Sequence, residues 1–266
     1  MTSEQNDFIE QEVARRTQAA VQQAMQDQLR QIQEIVEMQD VIILAVTTLA
    51  EAGDSDIGNR VPRIQHYVRA LALGVRHHPR FAEALTDAQI ELLFKFAPLH
   101  DIGKVGIPDR ILLKPGQLTP DEFAIMKNYT TLGRDAIDHA EQARGKPLEI
   151  LRVAKEMVLS HQEKWDGSGY PQGLAGEAIP LSARLMAVAN VYDALISERV
   201  YKRAMPHDQA VGIIFQGRGS HFDPDLVDAF IEIQFDIQAI AQRFADTEGA
   251  LQKKIEYMAN AIAEQP

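Results

Sequence analysis

The chain has 266 residues, no cysteine and a formal net charge of −11 at pH 7. Without cysteine there are no disulfides, thiolate ligands or cysteine nucleophiles, so any metal would be bound by His, Asp or Glu, and the acidic balance argues against DNA binding. No run of 18 uncharged apolar residues and no signal-peptide pattern is present, so we expect a cytoplasmic protein with no membrane partner.

The first 50 residues are predicted to form one long linker helix. Residues 6–50 contain neither Gly nor Pro and are rich in Gln, Glu, Ala and Arg. Met25, Leu29, Ile32 and Val36 are spaced by four, three and four residues, which is typical of a short coiled-coil seam. The pattern favours a homodimer through the N-terminal helix, and the alternative is a helix that docks on its own domain.

The rest of the chain also has helical patterning, with no alternating strand pattern. The sequence therefore predicts an all-α fold, with a helical domain over residues 51–235 and a C-terminal helical tail over 236–266. Thr86 and Gln89 predict the start of the helix that carries His100, because this spacing is that of a capping box. The other predicted helices run from Thr119 to about Ala143 and over about 148–161, 181–197, 208–217 and 223–235.

His100 and Asp101 form a candidate metal-ligand pair at the end of an apolar run. At a helix end both side chains can turn toward a metal in the core of a bundle. An imidazole with a carboxylate suits Fe, Mn or Zn better than Mg. Lys104, three residues later, is placed to offer a cation to a phosphate or to a leaving oxygen, although an exposed His-Asp pair at a helix end is the plain alternative.

A glycine-rich loop follows His161, with the sequence His-Gln-Glu-Lys-Trp-Asp-Gly-Ser-Gly-Tyr-Pro over residues 161–171. Its glycines and its closing proline predict irregular backbone that can approach a ligand closely. Trp165 is the only tryptophan of the chain, and we interpret it as a core plug that anchors the loop rather than as a base-stacking platform.

Taken together, these stretches resemble the HD-GYP family of the HD superfamily, helical bacterial phosphodiesterases that act on cyclic di-GMP. The resemblance covers roughly residues 50–235, and the N-terminal helix looks like the linker that often joins such domains to a sensor domain. It rests on the following motifs in order: His100-Asp101-Ile102-Gly103-Lys104, Ile107-Pro108-Asp109, Lys114-Pro115-Gly116, the 165–171 segment, Gly173-Leu174, Gly176-Glu177, Ile179-Pro180-Leu181, Tyr201-Lys202 and Phe222-Asp223-Pro224.

The resemblance implies hydrolysis of a phosphodiester by a metal cluster, with Fe or Mn as the cofactor. The metal ligands that it implies are Asp56, His100, Asp101 and His161. It implies catalytic roles for Asp101 and for Lys104, which matches the phosphate-contacting lysine of the family. The residues implied to hold the dinucleotide are Gly169, Tyr170, Asp193, Arg199 and Lys202.

The chain departs from the family at four of the eight expected ligand positions, which here are Arg60, Tyr129, Gln162 and Asn190. A guanidinium stays protonated and cannot ligate a metal, but it can form a bidentate ion pair with a carboxylate. We therefore predict that Arg60 pairs with Asp56 or Asp101, and that the bundle folds without metal.

These departures favour a catalytically impaired or inactive phosphodiesterase homologue in cyclic di-GMP signalling. Such a protein would bind the dinucleotide, or a signalling partner protein through the Gly-Tyr-Pro loop. Two enzyme alternatives stay open at this point: an active metal-dependent phosphodiesterase that hydrolyses cyclic di-GMP, and another HD-type nucleotide phosphohydrolase.

Overall fold

The regular secondary structure in the described part of the chain is helical, which confirms the predicted all-α fold. The computed structural model describes residues 3–51, 59–197 and 204–245. The α-helices in this part are α1 (Ser3–Glu51), α2 (Arg60–Val75), α3 (Asp87–Phe96), α4 (Asp109–Leu112), α5 (Pro120–Met126), α6 (Tyr129–Ala143), α7 (Arg152–Ser160), α8 (Leu181–Ile196), α9 (His207–Gln216), α10 (Pro224–Glu232) and α11 (Gln234–Arg243). Three 3₁₀ helices cover Ala97–Gly106, Glu149–Leu151 and Gly176–Ala178. No helix in these ranges combines the length and the apolarity that crossing a bilayer requires.

The chain divides into two units, residues 1–43 and residues 44–266. The first unit consists of the N-terminal part of α1, so the long helix is confirmed. Met25, Leu29, Ile32 and Val36 are all exposed on this helix. A second chain that covers them stays a prediction.

The second unit has its core where α2 and α8 cross. Tyr67 of α2 meets Tyr192 of α8 edge-to-face, and Phe230 of α10 packs against the same tyrosine. All three rings are almost completely buried. Burial of large aromatic rings at this crossing is a major source of stability for the domain.

Two predicted helices are interrupted in the structure. The helix expected from Thr119 to Ala143 is two helices, α5 and α6, because the Asn128 amide bonds the Ile125 carbonyl in a tighter turn that ends α5. His100 does not lie on α3 but on the 3₁₀ helix that follows it. The change occurs at Pro98, which has no amide proton to continue the α-helical bonds.

The C-terminal part of the described chain also differs from the expected pattern. The helix predicted over 223–235 ends at Glu232, and α11 follows it as a separate helix. The tail predicted as helical beyond residue 245 lies outside the described residues. The boundaries predicted at residues 50 and 235 stay predictions.

A close crossing of the Ala97–Gly106 segment with α6 positions the candidate site. A Cβ atom on Gly103 would lie 1.9 Å from the Tyr129 carbonyl oxygen, and one on Gly133 would lie 2.6 Å from Val158. Any side chain at these two positions would force the segments apart. The glycines therefore bring Asp101 and Tyr129 into one buried cluster.

Candidate functional site

Asp101 is the centre of a buried polar cluster and is only 3% exposed. Its Oδ2 atom accepts from Arg60 Nη1 at 3.0 Å and from Lys104 Nζ at 2.8 Å. His100 lies beside it, with Nε2 3.1 Å from the same oxygen. The predicted pairing of Arg60 with Asp101 is therefore confirmed, whereas a pairing with Asp56 lies outside the described residues.

Arg60 connects two helices of the core across this cluster. It is the first residue of α2 and only 3% exposed, and its Nη2 donates to Asn190 Oδ1 of α8 at 2.7 Å. The same nitrogen is 3.4 Å from His100 Nε2. His100 Nδ1 is 2.9 Å from the Ala97 carbonyl oxygen and Nε2 is 3.1 Å from Asp101 Oδ2, so both ring nitrogens face an acceptor.

Tyr129 and His161 form the second half of the cluster. His161 Nδ1 lies 3.0 Å from the Met157 carbonyl oxygen, which leaves Nε2 as the acceptor. Tyr129 Oη donates to that nitrogen at 2.7 Å and accepts from Gln162 Nε2 at 3.0 Å. His161 Nε2 is also 3.6 Å from Asp101 Oδ1, so the two halves adjoin at the carboxylate.

Burial and neighbouring charges together shift the pKa values of three groups in the cluster. Burial acts to raise the pKa of Asp101, but the neighbouring His100, Lys104 and Arg60 outweigh burial and hold the pKa well below its usual range. Burial lowers the pKa of His100. Burial, with Asp101 nearby, raises the pKa of the Tyr129 hydroxyl well above its usual value. These directions favour a charged aspartate and a neutral tyrosine in the cluster.

The donor atoms of this cluster, as they stand, do not fit a divalent metal ion. Asp101 Oδ2 already has two cationic partners, and His161 Nε2 accepts from Tyr129. Among the described carboxylate and imidazole atoms of this cluster, Asp101 Oδ1 is the one that is buried without a hydrogen-bond partner, and a single oxygen does not make a metal site. Within the described residues, which do not include Asp56, no group of three or more His, Asp or Glu side chains is arranged to hold a metal.

The glycine-rich loop is built around Gly169 and Tyr170. A Cβ atom on Gly169 would lie 2.4 Å from Glu163 Cα, so the loop folds tightly back on its own start. The Tyr170 amide donates to the Gln162 carbonyl at 3.2 Å. Its side chain packs against the apolar cluster that contains Tyr129, and burial raises the pKa of its hydroxyl to about 12. The signature tyrosine therefore points toward the Asp101 cluster.

Glu163 fixes the far end of the loop. Its buried carboxylate accepts from the backbone amides of Gln172 at 2.7 Å and Leu174 at 3.1 Å. The sequence did not predict this role. An acidic residue directly before a glycine-rich segment is the signal that could have indicated it.

Asp193, expected to contact the dinucleotide, is fully buried in α8. Arg63 donates to it through Nε at 2.7 Å and Nη2 at 3.2 Å, and Ser197 Oγ lies 3.3 Å from the same carboxylate. A role for Asp193 in ligand binding stays a prediction. Sequence reasoning missed Arg63, although its position three residues after Arg60 places both on one face of α2. Arg199 and Lys202 lie outside the described residues.

A second charged cluster holds Trp165. The guanidinium groups of Arg80 and Arg184 lie 5.6 Å and 5.8 Å from its ring centre. The buried Asp223 binds both arginines, at 3.1 Å and 2.6 Å, and also accepts from the Asp225 amide to cap α10. Trp165 is thus an anchor of the loop, as expected, but its partners are arginines rather than apolar core residues.

Comparison with known proteins now identifies the family. A family model described as an HD domain matches residues 62–226. The chain belongs to this family, in its HD-GYP branch. Among its relatives is a "Probable cyclic di-GMP phosphodiesterase" of Vibrio cholerae serotype O1, which is 51% identical over 93% of this chain and 53% of its own length.

Two further relatives come from the same organism. A "Cyclic di-GMP phosphodiesterase" is 52% identical over 80% of this chain and 43% of the relative. A "3'3'-cGAMP-specific phosphodiesterase 2" is 35% identical over 72% of this chain and 34% of the relative. The chain spans about half the length, or less, of these curated relatives.

Proposed function

We propose that this HD-GYP protein is a cytoplasmic cyclic di-GMP signalling module that binds the dinucleotide without hydrolysing it. The observation that supports this proposal is the guanidinium of Arg60 bonded to Asp101 in the centre of the polar cluster. A permanent cation at that position repels a divalent metal ion and already compensates the carboxylate. Without a metal, neither the attacking nor the leaving oxygen of a phosphodiester would be activated in the usual way.

The binding chemistry that remains is suited to an anionic nucleotide. Lys104 would supply a positive charge to one phosphate, and the loop at Gly169 and Tyr170 would contact the sugar-phosphate backbone. Arg199, Lys202 and Asp193 would complete the site. The same loop offers a surface to which a signalling partner protein could dock.

An active phosphodiesterase is the second candidate function. It is favoured by relatives that are 51% and 52% identical and carry phosphodiesterase names, and by the unpartnered Oδ1 of Asp101. In this case Fe or Mn would be bound by Asp56, His100, Asp101 and His161, and the side chains of Arg60 and Tyr129 would have to leave their present positions.

One experiment separates the two functions. The chain is produced with added iron and manganese, its metal content is measured by plasma mass spectrometry, and cyclic di-GMP is added with chromatographic detection of linear dinucleotide and GMP. We expect little metal, measurable binding and no product. About one equivalent of metal together with product that Asp101→Ala abolishes would establish the enzyme instead.

A gain-of-metal variant provides the matched control. Changing Arg60→His, Tyr129→His, Gln162→His and Asn190→Asp together supplies the ligands that the family pattern expects. We expect this variant to retain metal under the conditions in which the parent chain does not. Equal metal content in the two proteins would contradict the proposal.

We also propose that the protein forms a homodimer through Met25, Leu29, Ile32 and Val36. Their exposure on α1 and their spacing support this pairing. Light scattering should give twice the chain mass, and Leu29→Glu with Ile32→Glu should give the monomer mass. A monomeric parent chain would exclude the dimer.

A further inference from the structure

Lys127, Phe123 and Tyr170 contact one another at the edge of the glycine-rich loop. Lys127 follows the last residue of α5, and its Nζ lies 5.5 Å from the ring centre of Phe123 and 5.9 Å from that of Tyr170. The two rings meet edge-to-face with their centres 6.2 Å apart. The short helix α5 therefore contributes a cation and an aromatic ring directly beside the signature tyrosine.

The charge of Lys127 is not balanced by a carboxylate within the described residues, where its contacts are with the two rings. Lys114, which precedes α5 in the chain, pairs instead with Glu122 at 2.6 Å. A cation–π contact leaves an ammonium its full charge and most of its donor capacity. Lys127 is thus a half-buried positive charge in a chain whose net charge is −11.

A second cation lies on the other side of the tyrosine pair. Lys104 Nζ is 5.8 Å from the ring centre of Tyr129, which belongs to the apolar cluster that Tyr170 packs against. The two neighbouring tyrosines therefore have an ammonium group beside each ring. A cyclic dinucleotide carries two phosphates, so two separated cations match its charge pattern.

Phe123 adds a surface on which a base can stack. Its side chain is 47% exposed although it contacts both Tyr170 and Lys127. An aromatic ring that is open to solvent and flanked by a cation is a typical platform for a nucleobase joined to a phosphate.

We propose that Lys127 and Phe123 are ligand-binding residues, Lys127 contacting a phosphate and Phe123 stacking on a purine base of the bound cyclic dinucleotide. This inference rests on the proposed binding function. It adds α5 to a site whose other members lie on the Ala97–Gly106 segment, on α8 and in the glycine-rich loop.

The test compares cyclic di-GMP affinities by isothermal titration calorimetry on the full chain. Lys127→Met keeps the length of the side chain and removes its charge, and we expect it to weaken binding about tenfold or more. Lys127→Arg should restore affinity to within about threefold of the parent chain, because it restores the cation. Phe123→Ala should weaken binding about tenfold through lost stacking.

Lys146→Met is the matched control, since this exposed lysine lies away from the glycine-rich loop, in a cavity that Asp138 and Glu141 also line. It should bind like the parent chain, and circular dichroism should show that all variants fold. Repeating the titrations at increasing salt concentration should give a shallower dependence for Lys127→Met alone, because one phosphate contact is lost.

The outcomes separate this inference from the proposed function. If the parent chain does not bind cyclic di-GMP, the proposed function and this inference both fail. If the parent binds and Lys127→Met binds within twofold of it at every salt concentration, only this inference is overturned.

Discussion

Arg60 compensates the charge of Asp101 from a position where water cannot do so. Both side chains are only 3% exposed, and their N–O distance is 3.0 Å. Removing one member of a buried ion pair leaves the other charge desolvated, which costs more than the pair itself contributes. Asp101 keeps Lys104 as a second partner, but Asn190 would lose its donor.

Arg60→Met should therefore reduce the free energy of unfolding by about 3 kcal/mol. The measurement is urea denaturation followed by circular dichroism. The control is Arg69→Met, because Arg69 pairs with Glu91 on the surface and such pairs contribute at most about 1 kcal/mol. A loss at position 60 no larger than that at position 69 would show that Arg60 does not compensate Asp101.

The four departures from the family pattern are bonded to one another as two pairs. Arg60 donates to Asn190, and Gln162 donates to Tyr129. In each pair one unusual side chain supplies the partner that the other requires. The contributions of the two side chains of a pair to the free energy of unfolding are therefore coupled, and substitution of one member alone does not measure the contribution of the pair.

A double-mutant cycle on the second pair tests this coupling. Tyr129→Phe and Gln162→Leu should each destabilise the domain, because each leaves a buried polar group without its bond. The double variant should be more stable than the sum of the two losses predicts, by about 1 kcal/mol. Losses in the free energy of unfolding, measured by urea denaturation, that add to within about 0.3 kcal/mol would show that the pair is not coupled.

The glycine-rich loop as an element is held at both ends by charged residues. Glu163 accepts hydrogen bonds from the amides of Gln172 and Leu174. At Trp165, the guanidinium groups of Arg80 and Arg184 lie near the ring, and Asp223 binds both arginines. None of these contacts involves the Asp101 cluster. The loop can thus keep its shape whether or not the cluster binds a metal.

Asp223→Asn should release this loop without disrupting α10, because asparagine still caps a helix but does not balance two arginines. Since Trp165 is the only tryptophan, its fluorescence reports the loop directly. We expect a changed emission maximum and weaker cyclic di-GMP binding. Asp228→Asn, which removes an exposed partner of Arg218, is the control, and the same emission in both variants would contradict the anchoring role.

Local sequence patterns predicted the helices well and their interruptions poorly. The Thr119–Glu122 capping box and the uninterrupted α1 were recognisable because their signals lie within a few residues. The end of α5 at Met126 has no comparable local signal. The 3₁₀ path through His100 follows Pro98, which cannot donate the bond that would continue α3, and the apolar periodicity alone did not indicate it. The close packing of Gly103 against Tyr129, which positions the site, is a tertiary contact that no local pattern contains.

The central ion pair of the site was predictable from the sequence, but two of its charged residues were not. Arg60 and Asp101 could be paired from the sequence because a guanidinium in a metal ligand's position needs a carboxylate. Arg63 and Lys127 were missed, since their roles depend on the neighbours that folding provides.

For the whole molecule, half-buried histidines make stability depend on pH. Burial lowers the pKa of His66, His207 and His221, and for His221, where Lys164 adds to the effect, to about 4. Below the ordinary histidine value of about 6.5, the unfolded chain therefore binds protons that the folded chain excludes. Stability is highest above that value and falls as the pH decreases toward the folded-state pKa.

His221→Gln should flatten this dependence between pH 7 and pH 5, a range in which most carboxylates stay ionised in both states. In the parent chain His221 should account for a loss of about 1 kcal/mol over this range, after allowance for its partial exposure to solvent. Urea unfolding at pH 7, 6 and 5 measures the effect. The control is His139→Gln, an exposed position on α6 whose variant should keep the slope of the parent. Parallel curves for the His221 variant and the parent would show that the packing of His221 against Phe222 does not exclude the proton.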